Sequence, residues 1–206
     1  MASKLTWRDA IPTGRRGPAI RTSITAAEAR VLRRLARDAL VVEIGSAYGY
    51  STVVMALVAR RVISIDPHTD LEDSEQALRH NLAAFGVARR VDVIVGTSQA
   101  YCERAPASEA DLVFIDGDHS YEATLHDLRC AAKLLRRGGT LAIHDYARLD
   151  EVRRAVDEAT GGDHPTIVDS LAVVRDFRFR AEERRRRPAQ RLRWWDRVLG
   201  VEDASA

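Results

Sequence analysis

The chain has 206 residues, 46% hydrophobic and 30% charged, with a net charge of +2 at pH 7. That is room for one domain with a full core that needs no staples. The longest wholly apolar run, Val53 to Ala59, is seven residues and excludes a membrane-spanning helix among these residues. The stretch Met1 to Asp9 lacks the apolar centre of a secretory signal. Cys102 and Cys130 have no metal or redox spacing and read as ordinary thiols, so a reduced, cytoplasmic protein is the expectation. Charge is uneven: nine arginines face three acids between Arg178 and Arg197. Residues 178–206 therefore read as a basic tail, separate from the fold.

In chain order, residues 1–24 (Pro12, Gly14, Gly17 and Pro18 among them) read as an irregular arm, and residues 25–177 as the domain. Thr25 caps a first helix with an apolar stripe of Val31, Leu32 and Leu35. Apolar runs predict strands at 40–45, 61–66, 91–95, 111–116 and 140–145. Helices are expected between them at 50–60, 72–85, 98–105, 120–136 and 148–160. In the helix over 120–136, Ser120 caps the start, Tyr121, Leu125, Leu128, Ala132 and Leu135 share one face, and Gly138 marks the stop. Strands that are apolar throughout and alternate with helices mean an α/β fold. The expectation is a Rossmann-like, doubly wound, mostly parallel sheet with helices on both faces. Thr166–Val168 and Leu171–Val174 leave no room for a helix between them and predict a tight hairpin that adds an antiparallel C-terminal strand.

Two runs carry the cofactor signal. Val41–Ile44 ends in Gly45-Ser46-Ala47-Tyr48-Gly49, and Val62–Ile65 ends at Asp66, 21 residues after Gly45. That spacing fits a strand–loop–helix–strand unit whose second strand offers a carboxylate to a ribose. The loop lacks the third glycine that lets a backbone approach a pyrophosphate. With Tyr48 inside it, the loop suits a nucleoside carrying an amino acid. A second constellation, Asp116-Gly117-Asp118-His119, ends one strand, and His144-Asp145 ends the next. Carboxyl ends of parallel strands face one crevice, so both groups share a cleft with Gly45 and Asp66. Grouped carboxylates call for a cation or protons, and His119 can take a proton near neutral pH. Structural alternatives stay open: Glu43 paired with a buried arginine, Asp66 or His119 capping the next helix, and His144 in a supporting role.

The segments E-I-G-S-A-Y-G-Y-S, I-S-I-D, G-T-S-Q, F-I-D-G-D-H and G-G-T-L-A-I-H-D-Y make residues 25–176 resemble the class I S-adenosylmethionine-dependent methyltransferases. Within that class the chain is most similar to the catechol-type and antibiotic-sugar O-methyltransferases. The resemblance implies that Glu43, Gly45, Ser46, Tyr48 and Gly49 hold the methionine part of S-adenosyl-L-methionine, with Ser51 at its carboxylate. Asp66 would accept the ribose hydroxyls, His68 would touch ribose or adenine, and Gly96, Thr97, Ser98 and Gln99 would lie beside adenine. Asp116 would border the cofactor and, with Asp145, match two metal-binding acids, while His119 stands where the catechol-type enzymes carry a lysine base. Tyr146 departs from the asparagine ligand of those enzymes, which makes His144 the candidate third ligand to a divalent metal, Mg or Mn. Imidazole favours manganese over magnesium.

The implied reaction is in-line transfer of a methyl group to a hydroxyl activated by His119, a metal or both. The expected acceptor is a sugar or other small polyhydroxylated metabolite. A nicotinamide dehydrogenase is disfavoured by the missing glycine. The other open readings are a non-catalytic binding module and a methyltransferase acting on a nucleic acid or other macromolecule through the tail. In that tail Leu192, Trp195, Val198 and Leu199 share a helical face among arginines, suited to a membrane surface, a polyanion or a partner subunit, or simply to solvent. A homodimer through arm or tail stays open, and no protein partner is identifiable.

Overall fold

A computed structural model describes residues 19–107, 109–162 and 164–180. The arm up to residue 18 and the tail from residue 181 lie outside the described residues, and with them the tail's apolar face. The elements alternate as α1 (Ala26–Leu35), β1 (Leu40–Ile44), α2 (Tyr50–Ala56), β2 (Arg61–Asp66), α3 (Ser74–Ala84), β3 (Val91–Val95), α4 (Ser98–Arg104), β4 (Ala110–Ile115), α5 (Tyr121–Leu134), β5 (Leu135–Ile143) and α6 (Asp150–Thr160). A hairpin of β6 (Thr166–Val168) and β7 (Leu171–Arg175) closes the fold.

The strands form one sheet in the order β3-β2-β1-β4-β5-β7-β6. β1 to β5 run parallel, with Ile44 of β1 level with Ile65 of β2 and Ile115 of β4. β7 runs antiparallel to β5, and β6 antiparallel to β7, so the hairpin adds the expected reversed strand. The chain order reverses between β1 and β4, which opens a crevice at their carboxyl ends. Alternate strand residues feed two cores. Val41, Leu112, Phe114 and Ala142 pack with Leu32, Val53 and Leu78 of α1–α3. Val42, Ile44, Val113, Ile115 and Ile143 pack with Leu128 and Val152 of α5 and α6.

Two expectations need correction. Gly138 does not stop α5: the helix ends at Leu134 and runs straight into β5, where Leu135 pairs with Ala110 and the register then shifts. Gly138, at φ 76°, serves that irregular stretch of strand. Cys102 and Cys130 are not free thiols but form a disulfide between α4 and α5. Their 28-residue separation carries no motif, because the packing of the two helices brings them together. Disulfides are uncommon in reducing compartments, so the cytoplasmic expectation loses its premise. No helix among the described residues is long and apolar enough to cross a membrane.

Candidate active site

The loop after β1 is fixed by its glycines. Gly45 has φ 86°, and a Cβ there would lie 2.2 Å from the carbonyl oxygen of Asp116. The loop and the end of β4 therefore touch backbone to backbone, which only glycine permits. Gly49, also at φ 86°, begins α2 against Leu78.

Asp66 closes the loop from the neighbouring strand. Its Oδ2 accepts the backbone N–H groups of Ser46 and Ala47, both at 2.8 Å, and its Oδ1 accepts that of His68 at 2.7 Å. The carboxylate thus orders the loop rather than capping α3. His68 is held through Nδ1 by Ser74 Oγ at 2.9 Å, and its buried Nε2 has no hydrogen-bond partner among the described residues. Glu43 lies wholly buried and accepts from Thr52 Oγ1 at 2.6 Å. Its partner is thus a hydroxyl, not an arginine. Burial pushes its carboxyl up to about 7, against the lowering pull of the Ser51, Thr52 and Ser64 hydroxyls.

Beyond β3, Thr97 caps α4, and Gln99 bonds Glu103 along the same helix. Ser98 Oγ donates to Asp127 Oδ1 at 2.5 Å, and burial raises the Asp127 carboxyl to about 6. Asp127, on α5, escaped the sequence reading because its only mark is a polar residue on a mostly apolar face.

A cavity of about 740 Å³ opens at the crevice. Gly45, Ser46, Tyr48, Ser51 and Asp116 line it together with residues 19–24. Arg21 lies over the Tyr48 ring, 5.8 Å from its centroid. Of the other expected cofactor residues, Glu43, Gly49, Asp66, His68 and Gly96 to Gln99 do not line this cavity.

On the β4–β5 side the acids and histidines converge as the topology requires. His119 Nε2 lies 3.5 Å from Asp116 Oδ1 and 3.4 Å from Asp145 Oδ2. That nitrogen is buried and makes no hydrogen bond among the described residues. Asp116 raises the His119 pKa, against a lowering by burial, with further help from Asp145. Asp145 itself adopts φ 58°, an uncommon backbone for a residue with a side chain, and one often found at functional turns.

His144 is fully buried, with Nδ1 3.1 Å from Asp116 Oδ1 and 3.4 Å from Asp145 Oδ2. Nε2 faces Glu28 Oε2 at 3.3 Å and Ser170 Oγ at 3.2 Å. Burial alone would depress its pKa, but Asp116, Asp145 and Glu28 outweigh that and push it up to about 12. The same contact helps hold Glu28 down to about 2, although burial works the other way.

One ligand atom each from Asp116, His144 and Asp145 can be chosen so that all lie within 4.8 Å of one another. Two carboxylates and an imidazole fit a divalent transition metal. Tyr146 takes no part, because its hydroxyl donates to Asp157 Oδ1 at 2.8 Å. Glu28 and Ser170 also escaped the sequence reading. The only trace of Glu28 is the T-x-x-E spacing of a capping box.

The fold, the glycine loop and the acids at the strand ends define a class I methyltransferase. The methyltransferase domain family matches residues 42–146, and the chain belongs to that family. A catechol O-methyltransferase of Mycobacterium tuberculosis (strain ATCC 25618 / H37Rv) is 28% identical over 185 residues, 76% of this chain and 81% of that protein. Among solved structures, cofactor-bound Rv0187 from MTB has a TM-score of 0.64 at 26% identity, covering 79% of this chain and 84% of that one. The O-methyltransferase TomG from Streptomyces achromogenes, in complex with SAM, shares the fold with a TM-score of 0.60 at 22% identity, covering 76% and 81%.

Proposed function

We propose that this enzyme transfers the methyl group of S-adenosylmethionine to a hydroxyl of a small polyhydroxylated metabolite, a sugar or a relative of one. One observation carries the reading. The Gly45 backbone abuts Asp116, so a Cβ at Gly45 would lie 2.2 Å from its carbonyl oxygen, and Asp116 is in turn within 3.5 Å of His119 Nε2. A methyl donor held by the loop therefore meets an acceptor held by these side chains. Cofactor roles for Gly45, Ser46, Tyr48, Ser51 and Asp116 are supported by their place on the cavity wall. Asp66 supports the loop and keeps lone-pair capacity on Oδ1 for a ribose hydroxyl.

In this reading the acceptor oxygen attacks the methyl carbon in line as the carbon–sulfur bond breaks, which leaves S-adenosylhomocysteine. His119 Nε2 takes the hydroxyl proton, and the carboxylates of Asp116 and Asp145 stabilise the resulting imidazolium. Proton removal of this kind contributes roughly 100- to 10,000-fold. Asp116, Asp145 and His144 Nδ1 would hold a divalent cation, Mn in preference to Mg, whose chemistry when bound is to lower the acceptor's pKa. Most of the remaining acceleration comes from alignment of the two reactants. The cavity lining includes Arg21, Thr22 and Ser23, residue types that hydrogen-bond to a polyol. The test is methyl-labelled cofactor offered with sugars, catechols and RNA. Label in a sugar hydroxyl supports the reading; label confined to catechols or RNA overturns it.

A further inference from the structure

The carboxylate of Glu28 is the most heavily engaged polar group on the acceptor side, yet it does not line the cavity. It belongs to α1, is wholly buried, and has both oxygens committed. Oε1 accepts Ser170 N at 2.8 Å and Ser170 Oγ at 2.7 Å. Oε2 accepts Thr25 N at 2.8 Å and faces His144 Nε2 at 3.3 Å. The same helix start is tied to the β6–β7 turn a second time, through Thr25 Oγ1 and Asp169 Oδ2 at 2.6 Å. A buried carboxylate with only acceptor capacity can face His144 only if that nitrogen carries a hydrogen. The other ring nitrogen, Nδ1, is turned to Asp116 and Asp145; facing carboxylates it too carries a hydrogen in this state, which a cation captured there displaces.

We propose that Glu28 is the positioning residue of the acceptor-side centre. By holding His144 Nε2–H it fixes the ring and aims Nδ1 into the gap between Asp116 and Asp145, where a divalent cation is captured. This rests on the metal reading above and names the residue behind the ligand that makes it work. A carboxylate behind a ligating histidine orients the ring and raises its basicity, and its loss typically weakens metal binding 10- to 100-fold. Glutamine cannot substitute. In either orientation its NH₂ group meets a backbone N–H, that of Ser170 or that of Thr25.

The experiment is Mn²⁺ binding by electron paramagnetic resonance and calorimetry, on the full chain and its Glu28→Gln, His144→Ala and doubly substituted forms. S-adenosylhomocysteine affinity is measured alongside as a check on folding. The expected result is one Mn²⁺ site in the wild type, weakened 10- to 100-fold by Glu28→Gln, with cofactor affinity unchanged. Because Glu28 acts through His144, Glu28→Gln should cost nothing further in the His144→Ala background. Equal Mn²⁺ binding by wild type and Glu28→Gln overturns the role of Glu28 while leaving the metal site standing. A further loss in the His144→Ala background assigns Glu28 a merely structural part and also overturns it. No Mn²⁺ binding by the wild type overturns the metal reading and this one together. Should Glu28→Gln fail to fold, Glu28→Asp, which keeps the charge but shortens the reach, enters the same comparison with the same outcomes.

Discussion

On the β1–β2 side of the crevice the polar anchors are local. Asp66 holds loop amides 20 and 19 residues away, and Glu43 holds Thr52 nine residues on. On the β4–β5 side His144 is held by Glu28, 116 residues earlier in the chain, and Glu28 is held by Ser170, 142 residues later. The proposed cofactor side is thus one supersecondary unit whose residues lie in a single stretch of sequence. The proposed acceptor side is assembled from α1, two central strands and the final hairpin. In the proposed function, the cofactor is served by a self-contained module and the acceptor by side chains drawn from distant parts of the chain.

Three substitutions test that division, in order of expected effect. Gly45→Ala strikes the seam where the two sides touch. It forces a Cβ against the Asp116 carbonyl at φ 86° and should cost roughly 3–5 kcal/mol from the left-handed backbone and the overpacking together. Thermal denaturation and cofactor calorimetry should both register it; a melting temperature near that of the wild type contradicts the close contact. Asp66→Ala removes the acceptor of three backbone N–H groups and should cost about 2–4 kcal/mol. It should also weaken S-adenosylhomocysteine at least tenfold while Mn²⁺ binding survives. If metal binding is lost with the cofactor, the two sides are not separable.

The smallest effect concerns pH. The buried Glu43 carboxyl is raised from 4.5 to about 7, so between these values the folded chain binds more protons than the unfolded one. Stability from this group is present below about 4.5 and is lost as pH rises to about 7. Glu43→Gln should remove that decline, a difference on the order of 1–3 kcal/mol across the window. Parallel stability profiles for the two proteins would show that Glu43 titrates normally.

The same division explains what the sequence disclosed. The glycine loop, Asp66 and the alternating elements were legible because strand length and loop spacing dictate them within one local unit. Asp116, His119, His144 and Asp145 were legible as neighbours because parallel strand ends must face one crevice. The hydrogen bonds that orient them were not. Glu28 reads locally as an N3 capping residue and Ser170 as a turn residue; only the packing of α1 beside the hairpin turns them toward His144. The Cys102–Cys130 bond and the Ser98–Asp127 pair were hidden for the same reason, since the α4–α5 contact has no sequence period.

His119→Ala tests the central claim most directly, read by methyl transfer to a sugar acceptor and by S-adenosylhomocysteine affinity in the same preparation. The two-sided account predicts a fall in turnover of roughly 100-fold or more, with cofactor affinity within about twofold of wild type because His119 Nε2 faces Asp116 and Asp145. Unchanged turnover, or turnover and affinity falling together, would contradict it.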